Sequence, residues 1–418
     1  MWVSETNPPV RRVQIVLLLV LTTFVGAMWG LERTTIPLIA EDEFGITSSA
    51  VTLSFVAGFG VTKAFANLVA GGLMDRIGRR RVLLLGWLIG VPVPLLIVWA
   101  PSWEWVIVAN LLLGANQGLV WTATIMMMMD HFDPRRRGLS TGLVEFVGYT
   151  GVAGLTFATG FLATTLSPRQ IPFLIGLALA VVGVIVSLVF VRETMQRVQA
   201  EVSTHAKPSF RQAFADAARD RTLQSCAQAG LVTKINDAAV WGLLPLFLAS
   251  QGVGIVQIAI VAAVYPQVWG VGQLASGPLG DRIGRKPLIV WGLLLQALGI
   301  WALAASGGMI ERVAGAAILG AGTAAVYPTL IAAVGDRSHP LARASAVGVF
   351  RWYRDAGFVV GALVAGGFAD LVGFRMAYVI VGSISIASAL FVAIRMASRE
   401  ILWADLHRAS TADDAPPH

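Results

Sequence analysis

GGLMDRIGRR occupies residues 71–80 of this 418-residue chain, and a near copy, GPLGDRIGRK, occupies residues 277–286. The two stretches are 206 residues apart, close to half the chain length. The same offset relates PRRRGLSTGLVEFVGYTG at 134–151 to PLARASAVGVFRWYRDAG at 340–357. Because two separate matches share one offset, we infer that the molecule consists of two similar halves.

The composition is that of a membrane protein. Hydrophobic residues make up 56% of the chain and charged residues only 13%, with a mean hydropathy of +0.72, whereas a soluble domain carries about 25% charged residues. Apolar runs of about 17 to 25 residues, long enough to cross a bilayer as helices, recur along the chain. They lack the alternation of barrel strands. Twelve spans are predicted, at about residues 13–38, 48–70, 82–100, 105–129, 139–164, 170–191, 224–249, 254–276, 288–305, 310–333, 343–367 and 375–395.

The repeat and the spans together predict an all-α membrane protein of two pseudo-symmetric six-helix bundles. We expect the N-terminal bundle at residues 1–192 and the C-terminal bundle at 223–398. The polar segment 193–222 is expected to form a partly helical cytoplasmic loop between them, and residues 399–418 a cytoplasmic tail.

The distribution of basic residues predicts the orientation. They precede the first span and follow the even-numbered spans, whereas the opposite loops hold acidic residues such as Glu41, Asp42 and Glu311. The positive-inside rule therefore places both termini in the cytoplasm of a multi-pass protein of the cell (inner) membrane. The net charge of +7 comes largely from these short loops, so it does not indicate a nucleic-acid partner. The basic residues are Arg11, Arg12, Arg76, Arg79, Arg80, Arg81, Arg135, Arg136, Arg137, Arg282, Arg285, Lys286, Arg337 and Arg343.

The repeated motif resembles the signature loop of the major facilitator superfamily. The number of spans, the orientation and the long central loop also match, so the resemblance covers residues 10–398. It implies a twelve-helix transporter with alternating access, in which this loop acts as a cytoplasmic gate. The residues that carry it are Gly71, Leu73, Asp75, Arg76, Gly78, Arg79 and Arg80, and in the second copy Gly277, Leu279, Asp281, Arg282, Gly284, Arg285 and Lys286.

The chemistry of the motif fits a gate. A glycine such as Gly71 allows close helix contact, and Asp75 can pair with the following arginines or cap another helix. The alternative is that the arginines only fix topology, which does not require Asp75.

Ionisable residues inside the predicted spans are the functional candidates, because charges in the membrane are costly. The resemblance implies a binding site at mid-membrane between the halves. The candidates are Glu32, Arg33, Lys63, Asn67, Glu145, Lys234, Asn236, Asp237, Arg351, Arg354 and Asp355.

Spacing and the repeat predict contacts among them. Arg351, Arg354 and Asp355 share one helix face, which favours pairing of Arg351 with Asp355. Glu145 and Arg351 occupy equivalent positions in the two halves, so we expect them to face each other across the cavity. Lys63 is either part of the site or extends its amine to the membrane surface.

The four intramembrane carboxylates are the candidate proton carriers, since burial favours the protonated form and a nearby arginine the ionised form. Glu145 is the first choice because its sequence neighbours are uncharged, followed by Glu32; Asp237 and Asp355 are the others. The alternative role for each is a structural ion pair. The predicted substrate-binding residues are Arg33, Glu145, Tyr149, Lys234, Asn236, Arg351 and Arg354.

The chemistry of these groups slightly favours an anionic or zwitterionic solute over a cation. The chain has a single cysteine, and its histidines lie at span ends or in loops, so we expect no metal site. We interpret Trp29 as an interface or packing aromatic. We expect a monomer that is not an enzyme and uses no cofactor, with the proton gradient as its energy source and lipid, protons and a small solute as its partners.

The leading hypothesis is a proton-coupled secondary transporter that exports a small organic solute by antiport. Many drug–proton antiporters of the family carry a Gly-Pro motif on the fifth helix, and the proline is missing here. Proton symport that takes up an organic anion is therefore an alternative. A more remote alternative is a non-transporting membrane sensor on the same scaffold.

Overall fold

Twelve long helices form the protein in a computed structural model that describes residues 8–132, 137–164, 167, 169–194, 210–338 and 343–397. Every long regular element within those residues is a helix. A short break at Leu53 interrupts α2, and α3 has a break before Pro92, which cannot donate a helical hydrogen bond. The helices are α1 Pro8–Asp42, α2 Ser49–Ile77, α3 Arg79–Val98, α4 Trp103–His131, α5 Arg137–Leu162, α6 Ile171–Val189, α7 Arg221–Ser250, α8 Ile255–Ile283, α9 Arg285–Ala305, α10 Met309–Arg337, α11 Arg343–Val372 and α12 Phe374–Arg395.

Most helices continue beyond the apolar runs. The predicted second span ends at residue 70, but α2 runs to Ile77, and α8 runs to Ile283 where the predicted span ends at 276. Apolarity marks the part of a helix that lipid contacts, whereas helical hydrogen bonding continues into the polar residues beyond it. The predicted bounds are therefore too short at this end.

The repeated motif is not an extended loop. It forms the end of one helix, a single glycine and the start of the next, at Gly78 and again at Gly284. These glycines have φ angles of 93° and 90°, a backbone region that residues with a side chain rarely adopt. We call the side of the bundle that contains them the motif end.

Eleven of the helices are long and apolar enough to cross a membrane by themselves. The other, α5, contains Glu145 and is rich in glycine and threonine. It packs tightly on α1, where a Cβ atom on Gly151 would lie 2.2 Å from the carbonyl oxygen of Thr23. Small residues let α5 approach its neighbours closely, so it sits within the bundle.

The two halves meet mainly along three helix pairs. They are α2 with α11, α5 with α8, and α1 with α7. Under the repeat α2 corresponds to α8 and α5 to α11, so the first two interfaces are equivalent. The protein is thus a pair of six-helix bundles that are symmetrically joined, as the sequence predicts.

A short helix, Phe210–Arg219, precedes the second bundle and packs on α11 and α7. It confirms the prediction that the central segment is partly helical. Asp220 then caps the start of α7 by accepting hydrogen bonds from the backbone of Thr222 and Leu223. Residues 195–209 of the central segment and the predicted tail at 399–418 lie outside the described residues.

Candidate functional site

Nine charged side chains are buried around the surface where the bundles meet. Each is less than a tenth exposed. Burial of this kind is costly unless charges are paired or hydrogen-bonded. The nine residues are Glu32, Arg33, Lys63, Glu145, Lys234, Asp237, Arg351, Arg354 and Asp355.

Asp237 of α7 forms two ion pairs, one of which joins α7 to α1. Its Oδ1 atom lies 2.8 Å from Arg33 Nη2, and its Oδ2 atom lies 2.8 Å from Lys234 Nζ. Lys234 is three residues before Asp237 on the same helix, whereas Arg33 belongs to the other half. The Arg33 guanidinium also lies 5.0 Å from the centre of the Trp29 ring. Both carboxylate oxygens are therefore engaged.

Glu145 of α5 faces Arg351 of α11 across the interface between the halves. The distance from Glu145 Oε1 to Arg351 Nη2 is 3.8 Å. The same oxygen accepts a hydrogen bond of 3.0 Å from Trp121 Nε1, and Arg351 Nη2 donates to the Tyr327 hydroxyl at 3.3 Å. The contact that the repeat predicts is present, although sequence neighbours alone suggested uncharged surroundings for Glu145.

Asp355 pairs with Arg354, not with Arg351 as spacing predicts. Its Oδ1 atom lies 2.6 Å from Arg354 Nη2, and its Oδ2 atom accepts a hydrogen bond of 2.5 Å from Asn67 on α2. The prediction fails because Glu145 and Tyr327, on other helices, draw the Arg351 guanidinium away from its own helix.

A chain of polar contacts links these two pairs. Thr122 donates to Asn67 Oδ1 at 3.0 Å and accepts from Arg351 Nη1 at 3.4 Å. Asp355, Asn67, Thr122, Arg351 and Glu145 are thus connected in series across the halves. These contacts connect Glu145 to α2 through side chains of α11 and α4.

Two aromatic partners in this site escaped the sequence analysis, although the repeat contains the signal. Trp121, which contacts Glu145, and Tyr327, which contacts Arg351, are also 206 residues apart. The repeat thus relates each charged residue and its aromatic neighbour.

Tyr149 and Asn236, two further predicted substrate-binding residues, lie in different parts of the structure. The Tyr149 ring packs on Trp269 with a centroid distance of 3.8 Å, the two rings being tilted by 32°, and lies next to Trp121. Asn236 points away from the other half and bonds to Gln296 and Ser385 within its own bundle, at 2.6 and 2.9 Å. In this conformation the Asn236 amide is used within its own bundle, since neighbouring positions on a helix face different directions. Its assignment to the substrate site stays a prediction.

Lys63 and Glu32 are both enclosed. Lys63 is 6% exposed and lies among aromatic rings, so it does not extend to the membrane surface. Both Glu32 oxygens are buried, and the polar side chain that interacts with them is Asn110 of α4. Trp29, which we interpreted as an interface or packing aromatic, is fully buried beside Lys63 and Arg33 and so packs inside the protein.

At the motif end, Glu193 and two arginines stabilise the position of α3 against other helices of the N-terminal bundle. Glu193 accepts hydrogen bonds of 3.1 Å from the backbone nitrogens of Arg79 and Arg80, capping α3. The Arg79 side chain pairs with Asp130 of α4, and Arg80 donates to the carbonyl oxygen of Ser187 on α6. These contacts lie within one half, so they stabilise a bundle in this conformation.

The other motif residues are less enclosed. Asp75, Arg76 and Arg282 are exposed, and the side chain of Asp281 lies outside the described residues. Within the part of the chain that the structure describes, no heavy atom would lie within 4 Å of a Cβ atom added to Gly71 or Gly277. The expectation that Gly71 permits a close helix contact is therefore wrong for this conformation.

The repeat also relates two ion pairs at this end. Arg79 pairs with Asp130, and Arg285 pairs with Asp336 at 3.3 Å; each residue of the second pair is 206 positions beyond its counterpart. The first pair is buried, whereas the Asp336 side chain is 34% exposed.

Replacing Asp130 by asparagine is expected to destabilise the fold by about 3 kcal/mol, because it leaves a buried arginine without its counter-ion. Asp336→Asn is the matched control and should cost about 1 kcal/mol or less, since its pair is more exposed. Reversible unfolding in lipid nanodiscs checks the difference. Equal losses in the two variants would contradict it.

At the opposite end, a residue of one half caps a helix of the other. Asp370 of α11 accepts hydrogen bonds from the backbone nitrogens of Ser49 and Ala50, at 2.6 and 3.0 Å, and from the Ser48 hydroxyl at 2.7 Å. These are the first residues of α2, whose nitrogens have no partner within the helix. Nearby, a cleft of about 560 Å³ opens between α1, α2, α7 and α8, and Glu41 and Asp42 line it.

We expect Asp370→Asn to favour separation of the halves at this end. A helix cap contributes about 1 kcal/mol, which corresponds to about a fivefold change in a conformational equilibrium. Spin labels at Glu41 and Ser250, in a Cys226→Ser background, report the separation as a distance distribution. Asp42→Asn is the control, and a distribution unchanged by Asp370→Asn would exclude a latch.

Two bundles related by an internal repeat, with charges buried where they meet, define a secondary active transporter. The chain belongs to the Major Facilitator Superfamily, whose profile matches residues 18–235 and again residues 226–410. It is therefore a multi-pass membrane transporter and not an enzyme.

Multidrug resistance proteins and a nucleoside transporter are among the known proteins that are similar to the chain. Multidrug resistance protein MdtG of Escherichia coli O81 (strain ED1a) is 24% identical over 398 residues, which cover 93% of this chain and 95% of that protein. MdtG of Salmonella arizonae is 24% identical over 389 residues, covering 88% and 91%. A crystal structure of the nucleoside transporter NupG, solved as a point mutant, superposes with a TM-score of 0.77 at 16% identity, covering 91% of this chain and 99% of that one.

Proposed function

We propose that this protein is a proton-coupled transporter that exports a small organic solute by antiport. The observation that carries the proposal is the contact of Glu145 with Arg351 across the two halves, at 3.8 Å. The name of the MdtG relatives, multidrug resistance protein, supports export. The orientation of the charged loops supports a cytoplasmic motif end.

A proton at Glu145 would act directly on the interface between the bundles. Ionised Glu145 attracts Arg351, and its oxygen accepts the Trp121 hydrogen bond. Protonation removes the attraction and frees Arg351 for other partners. A solute that carries a donor or cationic group would compete with the proton for the same carboxylate. Such competition is what exchange of solute for proton requires.

The conformation of the protein would depend on the same contact between Glu145 and Arg351. Arg351 is connected through Thr122 and Asn67 to Asp355, so release of Arg351 loosens contacts between α2, α4 and α11. Alternating access needs the halves to separate first at one end and then at the other. We propose that Asp237, with Arg33 and Lys234, mainly provides a structural ion pair during this movement.

Proton symport of an organic anion is the second candidate function. Its support is the balance of the buried charges: the cations Arg33, Lys63, Lys234, Arg351 and Arg354 outnumber the four carboxylates Glu32, Glu145, Asp237 and Asp355. An anion that pairs with Arg351 would leave Glu145 alone and favour its protonation, which couples anion and proton in the same direction.

A solute screen in inverted membrane vesicles with a lumenal pH dye distinguishes the two functions. Antiport predicts that an exported solute raises the pH of an acidic lumen, because protons leave as the solute enters. Symport predicts that the same addition lowers lumenal pH. Vesicles that lack the protein are the control, and transport of a solute with no pH change would exclude proton coupling.

A further inference from the structure

Lys63 is a buried cation surrounded by aromatic rings. Its Nζ atom lies 4.4 Å from the centre of the Trp29 ring and 4.9 Å from that of Phe59. The rings of Trp121 and Phe358 follow at 5.8 and 5.9 Å. Aromatic faces stabilise an ammonium group but do not neutralise its charge.

No carboxylate pairs directly with this ammonium among the described residues. The negative groups that act on it electrostatically are Asp355 and Asp237. Asp355 is occupied by Arg354 and Asn67, and Asp237 by two other cations. Lys63 therefore differs from Lys234, which has its own counter-ion at 2.8 Å.

Other buried donors of the candidate site are also incompletely used. Arg33 Nη1, Arg351 Nε and Arg354 Nη1 are buried and have no hydrogen-bond partner among the described residues. Buried donors are normally satisfied, so several together indicate that an acceptor is missing. An acid group, with two or more acceptor oxygens and a negative charge, supplies what these donors lack.

The surroundings also suggest the rest of the molecule. Trp29, Phe59, Trp241 and Phe358 form one cluster, with ring centres 4.9 to 6.1 Å apart. Such rings bind an aromatic or apolar body by stacking and edge contacts.

We propose that Lys63 binds an acid group of the transported solute, whose aromatic or apolar body lies against these rings. The inference rests on the central site of the proposed function and names the solute class. The described conformation is closed around Lys63, so the solute enters when one end of the bundle opens. An anion and a zwitterion share this acid group. Only the zwitterion also has an ammonium that competes with protons at Glu145.

Equilibrium binding to the full chain in lipid nanodiscs tests the assignment. The probes are 2-naphthoate as an anion, 3-(2-naphthyl)alanine as a zwitterion and 2-naphthamide as a neutral control of the same shape. At least one acid-bearing probe should bind ten times more tightly than the amide. Lys63→Met should abolish that preference, Lys63→Arg should keep it, and the exposed Arg395→Met should leave it unchanged.

Several results would overturn the proposal. They are equal affinity for the amide, no binding of either acid-bearing probe, or an acid preference that survives in Lys63→Met. If Lys63→Met does not fold, the comparison of probes on the unmodified protein and on Lys63→Arg still decides. No pH gradient is used, so failed proton coupling in vesicles would not affect the outcome. Conversely, loss of the acid preference would leave proton-coupled transport of another solute standing.

Discussion

Glu145→Gln is expected to abolish transport driven by a pH gradient while solute binding and solute exchange remain measurable. Glutamine has nearly the same shape and keeps an oxygen that accepts the Trp121 hydrogen bond, but it cannot ionise. Arg351 then no longer senses a proton, so the gradient loses its effect on the interface between α5 and α11. We expect a fall of about a hundredfold or more, in the range typical for the loss of a positioned proton-transfer group.

Reconstituted vesicles with an imposed pH gradient, compared with vesicles preloaded with solute and no gradient, separate the two activities. Glu311→Gln is a suitable control, because that carboxylate is exposed at the start of α10. Gradient-driven transport at the normal rate in Glu145→Gln would remove Glu145 from proton coupling. Loss of exchange as well would indicate that the variant is defective in binding or folding.

Asp237→Asn is expected to cause the largest loss of stability. The change leaves Arg33 and Lys234 as two buried cations without the carboxylate that both contact. Removal of one partner from a buried ion pair costs about 3–5 kcal/mol, and here one carboxylate serves two partners. We expect a sharp fall in the amount of folded protein and in its unfolding midpoint.

A second substitution tests whether charge is the cause. Asp237→Asn with Lys234→Met restores the net charge of the group, so it should be more stable than Asp237→Asn alone. The same Lys234→Met change made by itself is the control. If the double variant is no more stable than Asp237→Asn, lost packing is responsible and the ion pairs contribute little.

The architecture can largely be predicted from the sequence because the sequence contains an internal repeat. The offset of 206 residues predicts the two bundles and the approach of Glu145 to Arg351. It also contains the pairs Trp121 with Tyr327 and Asp130 with Asp336, which a complete comparison of the halves detects.

The partners of individual charges are less predictable. Spacing along α11 allows Arg351 to reach Asp355, but it contains no information about Tyr327 or Glu145 on other helices. The surroundings of Lys63 are hard to predict for the same reason, since its four aromatic neighbours come from helices α1, α2, α4 and α11. Side chains from different helices compete for the same charged partner, and this competition exists only in the folded protein.

The cap that Asp370 places on α2 has a consequence for the movement itself. The backbone amides of Ser49 and Ala50 are hydrogen-bonded to Asp370 only while α11 of the other half lies against α2. Separation of the halves at this end therefore uncovers a helix terminus, and its first turn is expected to fray. Opening then includes a small local unfolding at the start of α2. The rate of hydrogen exchange at these two amides is therefore expected to report how often the transporter opens at this end.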